Sequence, residues 1–244
     1  MSRSNTDATP ALDRLPADAP LAACSIGLRR MAHLSAFFGG RPIVSQFDAR
    51  AAGAIGWGAK LSGRAARALA RWRGLPHVLV EDGFLRSVGL GKSGAPAVSL
   101  VVDDLGVYYD AARPSRLERL IGEAPLRTTD PAAIAALALW RSARLSKYNL
   151  GEDRALEAAR GKLVLVDQVA GDASIRGAGA DAASFARMLA SALAERAAAD
   201  IVLRTHPDVA AGKAKGHLAE AARAAGVAIL ADSAGPHALF DVAS

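Results

Sequence analysis

The stretch "KLVLVDQVAGDASIRGAGADAASFARML", residues 162–189, decides the fold class. Its opening KLVLVDQ, 162–168, is an unbroken apolar run, the pattern of a parallel strand covered on both faces. A glycine-rich loop, VAGDASIRGAGA, follows. Asp181 then stands as the N-cap of a helix that brings Phe185, Met188, Leu189, Ala192 and Leu193 to one face. The unit repeats. DIVLRTHP, 200–207, reads as the next strand, an alanine-rich helix ends near Gly226, and VAIL, 227–230, is a third strand. Strand and helix alternate as in an α/β fold with a parallel sheet.

The same alternation runs through the first part of the chain. PIVSQ, 42–46, reads as a short strand and IGWGAK, 55–60, as a glycine-rich turn. Residues 61–73 carry Leu61, Ala65, Ala68, Leu69 and Trp72 at helical spacing, with Ser62 as N-cap, and HVLV, 77–80, follows a Gly/Pro break as a strand. AVSLVVDD, 97–104, is the next strand, with GVYYD, 106–110, pairing to it. A helix over 113–122 is capped by Ser115 and ends at Gly122; another spans 131–146; residues 151–161 read as helix and linker. Two Rossmann-like domains facing each other across a cleft account for this order. The expected divisions are a disordered lead-in at 1–20, a first domain at 21–150 and a second at 151–244. The second domain is expected to be incomplete, because only ADSAGPHALFDVAS follows VAIL, which leaves one side of its third strand without a helix of normal length.

Composition narrows the partners. The 244 residues are 51% hydrophobic but only 5% aromatic, and the formal net charge is +6. That balance suits anionic ligands such as nucleotides, phosphosugars or anionic lipid. Basic residues are neither clustered nor interleaved with aromatics, which argues against nucleic acid. A single cysteine, Cys24, excludes an internal disulfide and a thiolate zinc cluster, so no metal is expected, and it suits a reducing cytoplasm. No apolar run approaches the roughly 20 residues that span a bilayer, so membrane contact is expected to be peripheral. Walker and GxGxxG patterns are missing, which disfavours ATP and NAD chemistry.

The residues apt for chemistry follow strand ends, where ligands bind in open α/β sheets. EDGFLR, 81–86, places Glu81 and Asp82 at the end of HVLV. The pair fits a structural turn or a general acid/base, since adjacent half-buried carboxylates raise at least one pKa. Gly83 leaves room for a ligand to approach the backbone, and Arg86 fits as a neutralising partner or a phosphate contact. Asp172 lies in the glycine-rich loop with Gln168 and Ser174 nearby and fits a turn or a nucleophile of glycosyl transfer. Asp167, nearer the strand, reads as structural. His206-Pro207 ends IVLRTH, where an imidazole donor to phosphate is apt. Lys147, in SKYN at 146–149, fits a helix stop better than an anion contact. His33, His77, His217 and His237 have no comparable setting.

Six of these stretches, in order, resemble the bacterial capsular polysaccharide β-Kdo transferase family: WGAKLSGRA, EDGFLRSVGLG, SLVVDDLGVYYDAARPSRLERLI, LSKYN, VLVDQVAGDASI and THPDVAAGKAKGHL. The resemblance implies a GT-B-like glycosyltransferase that moves Kdo, with retention, from CMP-Kdo to a lipid-linked Kdo acceptor at the cytoplasmic face of the inner membrane, in capsule linker synthesis and export. CMP-Kdo is then a substrate and no cofactor is implied; capsule export components are the implied partners. By the same match Asp82 is the acid/base, His206 contacts the CMP phosphate, and Asp172 is the nucleophile. Family members continue with a Ser/Thr-rich segment that is missing after Phe240, so a truncated and inactive form is one expectation. The alternatives are a non-catalytic capsule-assembly or polysaccharide-binding protein of the same fold, and an enzyme for another nucleotide sugar.

Overall fold

A computed structural model describes residues 11–89, 94–124, 129–151, 156–230 and 235–242. The chain divides into two compact units, residues 1–141 and 142–244, a division that falls earlier than the expected one after residue 150.

The first unit holds a five-stranded sheet in the order β2-β1-β3-β4-β5, with β1 at Leu21–Ala23, β2 at Ile43–Ser45, β3 at Gly53–Trp57, β4 at His77–Asp82 and β5 at Leu100–Asp103. β1 to β4 are parallel to their neighbours and β5 runs antiparallel to β4. Its helices are α1 (Ile26–Arg29), α2 (Leu61–Arg73), α3 (Arg116–Glu123) and α4 (Pro131–Ser142). Strand alternation sorts the core. Leu21, Ile55, Val78 and Val80 join Leu12, Leu28 and Phe38 on one face. Ala54 meets Ala66 and Ala70 of α2 on the other.

Several local expectations are overturned here. Of the expected turn at 55–60 only 58–60 turns, because β3 occupies Gly53–Trp57 in the middle of the sheet. Gly56 serves helix packing: a Cβ there would meet Gly63 Cα and Ser62 O of α2 at 2.5 Å. Ser62 is no N-cap, since Lys60 holds that position and Ser62 Oγ accepts the Trp57 N–H at 3.1 Å. The lead-in is folded from residue 11 onward. A 3-10 turn spans Ala11–Arg14, Leu12 is buried, and Arg41 donates to the carbonyls of Leu12, Leu15 and Pro16. GVYYD forms no strand. The Asp103 carboxylate accepts the N–H groups of Leu105, Gly106 and Arg116, each at 2.8 Å, and so turns the chain away from the sheet. α3 starts at Arg116, with Ser115 as its cap, and runs past Gly122; α4 stops at Ser142.

The second unit is a parallel sheet, β6 (Leu163–Val166), β7 (Ile201–Arg204) and β8 (Ala228–Leu230), in that order. Its helices are α5 (Ala173–Gly177), α6 (Ala182–Glu195), α7 (Pro207–Ala210), α8 (Ala219–Ala224) and α9 (Pro236–Phe240). Asp181 caps α6 in a capping box with Ser184, and Leu189 and Ala192 of α6 pack with Leu165, Ile201 and Leu203. The opposite face is covered, contrary to the expectation of an open side: Val202 and Leu230 meet Ala238, Leu239 and Val242 around α9, with Leu156 and Ala159. Residues 157–159 make a single 3-10 turn, and the rest of the expected helix at 152–155 lies outside the described residues.

Candidate functional site

In the first unit the acids end β4, whose register places Glu81 opposite Val101 and Asp82 opposite Leu100. The two carboxyls have different surroundings. Glu81 Oε1 accepts the Tyr109 hydroxyl at 2.7 Å, and the same hydroxyl accepts the Ala59 N–H at 3.1 Å. Burial pushes the Glu81 carboxyl above the usual range, and the Asp82 charge adds to this, against the opposing pull of Tyr109, Lys60 and Trp57. Gly58, at φ 41°, is the glycine this arrangement requires, because a Cβ there would run into the Glu81 carboxylate. Asp82 Oδ1 instead accepts Arg86 Nε at 3.0 Å.

Arg86 is 7% exposed. Its Nη1 donates to Ser87 Oγ at 3.0 Å and to the Ala95 carbonyl at 2.6 Å. The guanidinium therefore neutralises Asp82, one of the two roles read from the sequence, and clamps the strand end to the loop. Gly83 also differs from expectation. Its missing side chain makes room for Ser99, which a Cβ would strike, rather than for a ligand. Ser99 in turn donates to the Leu85 carbonyl at 2.6 Å, and its own carbonyl accepts the Gly83 N–H. A cavity of about 380 Å³ lies beside this clamp, lined by Trp57, Arg86, Met31, Arg30 and the 94–97 loop. Glu81 and Asp82 are not among its lining residues; their partners Trp57 and Arg86 are. A second acidic pair, Asp103-Asp104, shows what purely structural acids look like here. Asp103 is saturated by backbone amides, and Asp104 forms a two-point ion pair with Arg116 at 2.8 Å.

In the second unit, β6 and β7 are adjacent and parallel, so the loops that follow them share one edge of the sheet. Asp172 is the N-cap of α5: its Oδ1 accepts Ser174 N at 2.8 Å and Ser174 Oγ at 2.7 Å. Oδ2 accepts no hydrogen bond among the described residues. Burial raises this carboxyl, but the two Ser174 bonds and the nearby charges of His206 and Lys147 outweigh it and hold it below the usual range. Asp172 is thus bonded to Ser174 and lies within electrostatic reach of His206 and Lys147. Gln168 stands exposed, and its backbone N–H donates to Asp167. His206 caps α7, with Nδ1 accepting the Asp208 N–H at 3.1 Å. With Nδ1 accepting that bond, Nε2 is the ring nitrogen that can donate. Lys147 sits in a tight loop of its own, in which Ser146 N donates to Asn149 Oδ1 and Asn149 N to Ser146 Oγ. It is not the stop of α4, which ends earlier.

Asp167 is structural, as read from the sequence: it is 2% exposed and accepts the N–H groups of Gln168, His217 and Leu218. Through it the chain positions His217, a residue to which the sequence gives no role. The His217 ring stacks on Phe185 with centroids 4.4 Å apart, its buried Nε2 has no partner among the described residues, and it lines a cavity of about 320 Å³ with Asp172, Arg176 and Asp181. Nothing local marks His217, because Asp167 lies 50 residues away. Among the described residues no group of three or more His, Cys, Asp or Glu is placed to hold a metal, and no helix is long and apolar enough to cross a membrane.

Both groups lie inside segments matched by one family. The profile of the capsule polysaccharide biosynthesis proteins matches residues 53–139 and 132–243. The chain belongs to that family. This family member is 42% identical over 225 residues to the capsule polysaccharide modification protein LipA of Neisseria meningitidis serogroup A, an alignment covering 88% of this chain and 32% of LipA. It is 38% identical over 161 residues to the lipopolysaccharide-processing protein LpsZ of Rhizobium meliloti, covering 62% of this chain and 36% of that protein. The chain therefore spans about a third of the length of these curated relatives. Its structure is similar to that of Thermosulfurimonas dismutans KpsC, a β-Kdo 2,4 transferase, with TM-score 0.79 and 35% identity over 92% of this chain and 72% of that one.

Proposed function

We propose that this chain is a GT-B-like, retaining β-Kdo glycosyltransferase module of capsule polysaccharide assembly, taking Kdo from CMP-Kdo and passing it to a lipid-linked Kdo acceptor at the cytoplasmic face of the inner membrane. The observation that carries the reading is Asp172: an ionised carboxylate with one oxygen uncommitted, grouped with His206 and Lys147. The likeness to KpsC supplies the sugar.

Each unit is assigned its own task. In the second unit, Asp172 attacks the anomeric carbon of Kdo. The bond from that carbon to the phosphate oxygen breaks, CMP leaves, and a glycosyl ester of Asp172 forms. His206 Nε2–H and the Lys147 ammonium stabilise charge on the departing phosphate. Ser174 holds the carboxylate in place. In the second step the acceptor hydroxyl attacks the same carbon, the ester bond breaks, and a base takes the hydroxyl proton; two inversions give net retention. Of the two acids in the first unit, Glu81 suits that proton transfer better than Asp82. Burial raises the Glu81 carboxyl above its ordinary range, whereas Arg86 is bonded to Asp82. This revises the role that the family resemblance gives to Asp82.

The test is incubation with CMP-Kdo and a Kdo-terminated glycolipid. Release of CMP together with an enlarged glycolipid is the expected result. Binding of Kdo-containing polysaccharide without CMP release would sink the enzyme reading in favour of an assembly protein, and turnover only with another CMP-sugar would remove Kdo as the donor sugar.

A further inference from the structure

We infer that the outer face of α2, together with the loop at 46–50, is a docking surface for an anionic lipid bilayer. The inference rests on the membrane-face location in the proposed function and names the surface that makes the contact; vesicle binding is measured apart from sugar transfer, so either can fail alone. Phe47 and Trp72 are 87% and 82% exposed, and Leu61, on the same stripe of α2 as Trp72, is 80% exposed. Three large apolar side chains left in water on one face mark an interaction surface rather than scattered surface residues. Between Phe47 and Trp72 runs an apolar groove of about 510 Å³, floored by Ala65, Ala68 and Leu69. The groove is held open by design of the chain itself. The Arg73 guanidinium donates to the carbonyls of Asp48, Ala49 and Ala51, at 2.9, 2.5 and 3.2 Å, which pins the loop to the last turn of α2.

Charge selects the occupant. Residues 41–75 contain seven Lys or Arg and a single acid, Asp48. That acid is already paired with Arg50 at 2.8 Å, and the pairing holds its carboxyl down at about 2. Arg64 and Arg71 line one side of the apolar stripe from exposed positions on α2, and Arg50 stands exposed on the loop. A tryptophan, a phenylalanine and a leucine fringed by arginines match the interfacial layer of an anionic bilayer: the rings sit at headgroup depth and the guanidiniums reach the phosphates. The same fringe opposes a second copy, because a two-fold contact would set arginines against arginines.

Vesicle co-sedimentation of the full chain tests this. Binding is expected to vesicles of mixed phosphatidylglycerol and phosphatidylcholine, weakening with salt, and to be far weaker with phosphatidylcholine alone. A Phe47→Ser/Trp72→Ser variant is expected to lose at least about tenfold in partition, and Arg64→Ala/Arg71→Ala about fivefold per arginine. All four positions are solvent-facing, and unchanged circular dichroism confirms that the variants fold. No binding to the anionic vesicles, equal binding to both vesicle types, or undiminished binding of the double serine variant overturns the inference. Concentration-dependent dimers abolished by the serine substitutions, without vesicle binding, would overturn it in favour of self-association.

Discussion

Replacing Tyr109 by Phe removes one oxygen with two partners, the Glu81 carboxylate at 2.7 Å and the Ala59 N–H at 3.1 Å. Ala59 is exposed, so its amide regains water. Glu81 is half-buried and does not readily regain a donor. A hydrogen bond to an ionised group contributes about 1.5–3 kcal/mol. Partial solvation of Glu81 places this one at the lower end, about 1.5 kcal/mol, or roughly one pH unit. In the native protein, burial already holds the Glu81 carboxyl above its unfolded value, while Tyr109 pulls it back. A raised carboxyl binds its proton more tightly when folded, so stability falls as pH rises from the unfolded to the folded pKa. Removing Tyr109 raises the folded value further and extends that window upward. The variant should lose about 1.5 kcal/mol at neutral pH, and clearly less under acid conditions where Glu81 is protonated in both proteins. Urea unfolding at several pH values, with carbon NMR titration of the Glu81 carboxyl, provides the measurement. An equal loss at every pH, or a Glu81 titration that does not move upward, would refute the claim that Tyr109 stabilises the ionised form.

Three further outcomes follow from the geometry. His206→Ala should weaken CMP binding about tenfold, the loss of one charge-assisted hydrogen bond, and leave acceptor binding unchanged; equal CMP affinity by calorimetry would reduce His206 to a helix cap. Asp167→Ala strips three backbone N–H groups of their acceptor and should cost about 2–5 kcal/mol in urea unfolding; a loss below about 1 kcal/mol would show that water replaces the carboxylate. Gly83→Ala sets a methyl group against Ser99 and should destabilise by about 1–3 kcal/mol; a neutral result by thermal unfolding would mean that β5 shifts freely.

The second unit was the more legible half. KLVLVDQ, IVLRTHP and VAIL each mark a strand because long branched side chains fill both sheet faces, and Asp181 marks a helix start because its carboxylate meets free amides. β1 escaped notice because Leu21-Ala22-Ala23 carries little strand propensity and is made a strand by burial between β2 and β3. The glycines at 56 and 58 look like a turn, yet Gly56 exists for contact with α2 and only Gly58 turns the chain. At the candidate site, strand-end placement singles out Glu81, Asp82, Asp172 and His206, and the structure sets Glu81 and Asp82 at the end of β4 and His206 just after β7. It does not separate the surroundings of Glu81 and Asp82, because the Glu81 partner, Tyr109, lies 28 residues away in the chain. His217 was invisible for the same reason: its ring is set by Phe185 and its backbone by Asp167.

The most direct test of the account is a search for the glycosyl ester on Asp172. Glu81→Gln protein, slowed in the second step, is incubated with CMP-Kdo, and its intact mass and peptides are measured. A gain of one Kdo on the peptide containing Asp172 is expected, abolished by adding Asp172→Ala. CMP release with no adduct at Asp172, together with undiminished transfer by the Asp172→Ala single variant, would contradict it.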